Sequence, residues 1–150
     1  MATEAFAFEQ LVENTRTHVI SAALGGSAGA GFKHDTDRGK AVKLGSASNY
    51  ELCAAGDEVE GFIYSVEINT VNGGFDFGSV QLNERAWARV ASDQTGNMAV
   101  GDLVVAGAGQ AVGVQGVAQV KTGAPTTYLW RCIRRKAAGA VGDEVLLERI

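Results

Sequence analysis

Ala54-Ala55-Gly56-Asp57-Glu58-Val59 occurs twice more in closely similar form, as Ala99-Val100-Gly101-Asp102-Leu103-Val104 and as Ala140-Val141-Gly142-Asp143-Glu144-Val145. Glycine tolerates positive φ without steric cost, and aspartate hydrogen-bonds its own local backbone. With an apolar β-former close behind, each copy reads as a turn feeding a strand. Gly56, Asp57, Gly101, Asp102, Gly142 and Asp143 are therefore structural turn residues rather than catalytic ones.

Strand signals recur around these turns from Gly39 onward. Val42 and Leu44 flank Lys43, and Phe62, Tyr64, Val66 and Ile68 alternate with Ser65, Glu67 and Asn69, the period of a half-buried strand. Asn72-Gly73-Gly74 closes that strand as a hairpin. Further strands are expected over Phe75 to Leu82, Ala86 to Ala91 and Leu103 to Val105, with a polar turn over Asp93 to Asn97. The alternation of Val112, Val114, Gly116, Ala118 and Val120 predicts one long or bent strand, turned by Thr122 to Pro125. Tyr128 to Lys136 and Val145 to Ile150 complete the set. Eight or so short strands make an all-β fold, a small antiparallel β-sandwich or barrel.

The bounds agree with that reading. A chain of 150 residues with 20 glycines and one proline fits a single domain of short strands and tight turns. A net charge of -4 argues against nucleic acid as the main partner, because neutralising phosphates requires a basic surface. The sequence has neither an apolar run long enough to span a bilayer nor a basic-then-apolar leader, so a soluble protein made in the cytoplasm, with no membrane partner, is expected. Cys53 and Cys132 set no disulfide or metal spacing and read as small buried hydrophobes.

Residues 1 to 38 stand apart. Phe8, Leu11, Val12, Thr15, Val19 and Ala23 follow helical spacing, yet Thr15, Thr17, Val19 and Ile20 suit an extended arm equally well. Leu24-Gly25-Gly26-Ser27-Ala28-Gly29-Ala30-Gly31 offers little to bury and reads as a flexible joint. The expected organisation is a flexible N-terminal arm with this joint over 1–38 and the β core over 39–150. Phe6, Phe8 and Leu11 would then offer apolar area to a partner.

No catalytic constellation emerges. Gly107-Ala108-Gly109 followed by Gly113 is one residue off a dinucleotide fingerprint and precedes strand-like alternation, not a helix. Asp35-Thr36-Asp37-Arg38-Gly39 opens like a calcium loop but lacks the glutamate at its twelfth position. His18 and His34 lack metal-spaced partners and read as solvated. There is no Gly-x-Ser-x-Gly elbow for a serine nucleophile. Neither metal nor cofactor nor enzymatic activity is expected. The cluster Arg131, Arg134, Arg135 and Lys136 suits either a solvated edge or an acidic partner. Arg89 places Trp87 on the outward face of its strand, where Trp and Arg are frequent interface anchors.

The core from Gly39 to Ile150, opened by Gly39-Lys40-Ala41-Val42-Lys43-Leu44-Gly45 and punctuated by the three Gly-Asp turns, resembles the head decoration or cement proteins of tailed bacteriophages. That resemblance implies a β-sandwich or barrel on the outer surface of the virion capsid, bound to the major capsid protein and resisting internal DNA pressure. It also implies a homo-oligomer, a dimer or trimer, and brings no catalytic residues. A ligand- or carbohydrate-binding β module of a virion tail or bacterial surface, presenting exposed aromatics, is the alternative.

Overall fold

The computed structural model describes residues 19–25, 31–46, 48–72 and 75–150. Ten strands and one helical turn follow in order: β1 (Val19–Leu24), α1 (His34–Asp37), β2 (Ala41–Leu44), β3 (Tyr50–Leu52), β4 (Gly61–Asn72), β5 (Phe75–Gln81), β6 (Arg85–Val90), β7 (Leu103–Ala106), β8 (Gln119–Thr122), β9 (Trp130–Arg135) and β10 (Glu144–Arg149). The fold is all-β, as the alternation predicts. It consists of two small closed barrels, the first ordered β1-β3-β2-β4-β5 and the second β10-β6-β8-β7-β9. Most neighbours are antiparallel, but each barrel also contains one parallel pair, β1 with β3 and β6 with β8. Closing a sheet removes the edge strand on which another chain could add a strand of its own.

The three Gly-Asp turns are one device used three times. Gly56, Gly101 and Gly142 have φ of 95°, 97° and 88°. In each copy the aspartate amide donates to the carbonyl three residues back, Asp57 to Ala54, Asp102 to Ala99 and Asp143 to Ala140. Its carboxylate accepts from the amide of that same alanine at 2.8, 2.8 and 3.0 Å. Each turn then clamps one residue of a neighbouring strand. The glycine amide donates to the carbonyl of Ala106, Cys132 or Val90, and that residue's amide donates back to the aspartate carbonyl. Two residues further on, Val59, Val104 and Val145 are fully buried in one core. A Cβ added at any of the three glycines meets nothing within 4 Å, so a valine there suffers backbone strain rather than collision. Gly→Val at each position is expected to destabilise by about 1–3 kcal/mol. Unchanged denaturation midpoints in all three variants would exclude the shared turn.

The barrels share a core. Ala41, Cys53, Val59 and Phe62 pack with Val104, Val120, Trp130, Cys132, Val145 and Leu147 of the second barrel. Trp130 meets the Phe62 ring edge-on at 4.8 Å and donates its indole N–H to Val59 O at 3.0 Å. Arg149 donates to the carbonyls of Glu60 and Leu82 and lies over the rings of Tyr128 and Trp130. Leu24, Phe32, Val42, Tyr50, Ile63, Val66 and Val80 form a second cluster in the first barrel. Both cysteines are free and buried, and burial pushes the Cys53 thiol up to about 12 and raises that of Cys132.

Four expectations change. Residues 19–24, assigned to the arm, form a barrel stave: all six pair with β5, and Leu24 is fully buried. The boundary at residue 38 therefore does not separate an arm from the core over the described residues. Residues 1–18, with Phe6, Phe8 and Leu11, and 26–30 of the joint lie outside them. The long strand over 112–121 is confined to β8, preceded by a glycine-rich loop in which Gly109 and Gly113 adopt φ of 110° and 74°. Tyr64 does not share a buried face with Phe62 and Val66, because the register slips between Ile63 and Ser65 and turns Tyr64 to solvent. His34 is half-buried rather than solvated, and its Nδ1 accepts the Val66 amide at 3.2 Å.

Candidate functional site

Three strands, β6, β10 and β9, present one outward face. Val145 and Leu147 of the central strand point inward and are fully buried, which leaves Glu144, Leu146 and Glu148 on the other side. Directly opposed residues in antiparallel strands share a face, so the registers define its rows. Arg85, Glu148 and Arg131 form the first row, Trp87, Leu146 and Arg134 the second, and Arg89 with Glu144 the third. Glu148 stands 3.7 Å from Arg85 and 3.3 Å from Arg131. Glu144 pairs with Lys136 and lies 4.0 Å from Arg89, and the Lys136 ammonium holds its carboxyl below the usual carboxylate range. These ion pairs are exposed and contribute little stability.

The face thus carries five cationic side chains, Arg85, Arg89, Arg131, Arg134 and Lys136, against two carboxylates, in a chain whose net charge is -4. At its centre Trp87 is 44% exposed, with the Lys136 ammonium 5.0 Å from the ring centroid. The expected outward side of β6 is the observed one: Ala88 and Val90 are buried while Trp87 and Arg89 face out.

Of the candidate contact residues, Trp87, Arg89, Arg131 and Arg134 are brought together here. Arg135 is not, because it pairs with the inward-facing Val145 and donates to the carbonyls of Met98 and Ala138, both at 2.9 Å. It ties loops together at the end of the second barrel.

Beside this face a groove of about 380 Å³ runs between the barrels, with Arg38, Tyr64, Gln81, Arg85, Trp87 and Val117 among its walls. Tyr64 is 47% exposed and carries the Arg38 guanidinium 5.9 Å from its ring centroid. Sequence reading missed this second aromatic. Arg85 could have been found from its alternation with Trp87 and Arg89; the meeting of Tyr64 and Arg38 with Trp87 depends on how the barrels pack.

The remaining polar groups with unusual environments have structural tasks. Glu58 accepts the amides of Thr126, Tyr128 and Thr127 and the Thr126 hydroxyl, and these donors hold its carboxyl at about 2. That ties the first Gly-Asp turn to the loop before β9. Asp37, within the calcium-like string, is committed to Lys40, to the amides of Lys33 and Gly113 and to the Thr36 hydroxyl. Among the described residues no three His, Cys, Asp or Glu side chains gather at metal-binding distance. No family model, curated protein or solved structure matches the chain.

Proposed function

We propose that the protein decorates the outside of a tailed-bacteriophage head, binding the major capsid protein through the β6-β10-β9 face and stabilising the assembled shell as a homo-oligomer. The observation that carries this reading is a basic, Trp-centred surface on an otherwise acidic protein, beside the family resemblance of the Gly-Asp turns. Desolvated Trp and Arg supply most of the energy in typical protein interfaces, while surrounding charges select the partner. Closed barrels favour attachment by a face over strand addition.

The test is co-sedimentation with assembled heads of the encoding phage. The wild-type chain should bind in fixed stoichiometry. Trp87→Ala should weaken binding by about 2 kcal/mol or more, roughly thirtyfold, as expected of an anchor. Its melting temperature should hardly change, because the ring is half in water. A large fall in melting temperature with binding intact would move Trp87 into the core and remove this face from the interface.

The groove favours the alternative, a ligand- or carbohydrate-binding module, since Tyr64 and Trp87 stand together in it. A cation already lies over each ring, which reduces the bare aromatic surface open to a sugar. Capsid attachment is therefore placed first.

A further inference from the structure

The two barrels repeat one five-strand unit. The cycle β1-β3-β2-β4-β5 matches β6-β8-β7-β9-β10, with the corresponding pair parallel in each and every other pair antiparallel. The ladder between the last two strands slips at the same place in both: Ile63 and Ser65 face Val80 and Ser79, and Cys132 and Arg134 face Leu147 and Leu146. Matching these slips also matches Ala41 opposite Phe62 with Leu103 opposite Arg131, and Leu24 beside Tyr50 with Val90 beside Val120.

The outward face of the second barrel therefore has a counterpart in the first. Trp87, Leu146 and Arg134 stand where the first barrel has Ser21, Ser79 and Ser65, and Arg85, Glu148 and Arg89 where it has Val19, Gln81 and Ala23. The same sheet with the same slip thus forms with neither charge nor tryptophan at these positions. Folding does not select them in the second barrel, and solubility does not select a tryptophan that is 44% exposed. Arg85 and Arg131 face Glu148, and Arg89 and Lys136 face Glu144, whereas Arg134 and Arg38 are exposed and, among the described residues, make no ion pair. Arg134 lies two strands from Trp87, about 10 Å at ordinary strand spacing, and Arg38 stands in the groove wall on the β6 side of the face.

Taking the β6-β10-β9 face as the capsid-binding surface, we propose that this face and its groove receive an extended acidic segment of the partner protein. Its carboxylates meet Arg134 and Arg38, and an apolar side chain between them lies against Trp87 and Tyr64. Extended chain rises about 3.3 Å per residue, so the carboxylate at Arg134 belongs to a residue about three positions from the apolar one. Glu144 and Glu148 stand among the arginines, which opposes a continuous run of phosphates but tolerates two spaced carboxylates.

The probe is a short synthetic peptide with one leucine and an aspartate about three positions to either side of it. Trp130 is fully buried, so a saturable change in tryptophan emission on titration reads Trp87. Exchanging both aspartates for asparagine should weaken binding about tenfold, as two exposed ion pairs together supply, and Arg38→Gln/Arg134→Ser should do the same. The serine is the first barrel's own residue at that place, so melting should be unchanged. Equal affinity of the aspartate and asparagine peptides, or no saturable binding at millimolar concentration, would overturn the proposal. Tighter binding of a thymidine oligonucleotide of equal charge would overturn it as well, by assigning the face to nucleic acid. Assembled heads separate the two levels. Heads that release Trp87→Ala but hold Arg38→Gln/Arg134→Ser at full affinity would keep the interface and overturn the acidic segment. Heads that bind no form of the protein, while the peptide binds as expected, would remove the capsid assignment and uphold the chemistry of the face.

Discussion

Deleting residues 1–30 should unfold the first barrel. The deletion removes β1, whose six residues pair with β5 and whose last residue pairs with β3. It opens a closed sheet and strips Leu24, together with the half-buried Ile20 and Ala22, from the first barrel's own core. Truncating a single buried leucine to alanine costs about 2–5 kcal/mol. Losing the whole stave should exceed about 5 kcal/mol, comparable to the total stability of many domains. Ala41, Cys53, Val59 and Phe62 serve both barrels, so the second barrel should be destabilised too. Thermal unfolding followed by circular dichroism decides the matter. A cooperative melt of the 31–150 chain at the wild-type temperature would mean that β1 is dispensable.

That prediction reverses what the sequence suggests for residues 1–38, and the reason is physical. β1 is mostly half-buried, with Ser21 exposed and Leu24 fully buried, and its ladder partners in β5 lie more than fifty positions away, so neither clean alternation nor a nearby turn marks it as a stave. Local chemistry was legible where one face is dry and the other wet. In β6, buried Ala88 and Val90 alternate with exposed Trp87 and Arg89, and the strand and its outward side follow from period 2 alone. The Gly-Asp turns were legible because φ near +95° selects glycine and a returning carboxylate selects aspartate.

Alternation misled where glycine intervened. Val112, Val114 and Val117 have strand spacing but lie exposed in a loop, because Gly109 and Gly113 at positive φ bend the chain out of any ladder. The slip at Tyr64 is a sheet irregularity that a period-2 count cannot detect. The division into two barrels is set by long-range pairings such as β1 with β3 and β6 with β8. The groove is a product of that division. Four of the candidate contact residues could be read as a surface, therefore, while Tyr64, Arg38 and Gln81 could not be joined to them.

Replacing Lys40 with methionine should cost about 3–5 kcal/mol, the usual consequence of removing one partner from a buried ion pair. Lys40 and Asp37 are 1% and 0% exposed, and the ammonium lies 2.7 Å from the Asp37 carboxylate. It also donates to the carbonyls of Ala111 and Val114, while Asp37 accepts the Gly113 amide. Burial pushes the Asp37 carboxyl upward, but hydrogen bonds from Lys40, Lys33 and Gly113 outweigh it and hold the group below its ordinary range. The pair therefore fastens the glycine-rich loop of the second barrel, which carries Val117 into the groove, to the segment between α1 and β2. Methionine fills similar volume but leaves a buried carboxylate without its counter-ion and two carbonyls without their donor. Asp37→Asn/Lys40→Met removes both charges together, so its loss should be well below the sum of the two single losses. Urea denaturation of the four proteins measures this coupling. A Lys40→Met cost under about 1 kcal/mol would show that the loop is held without the pair.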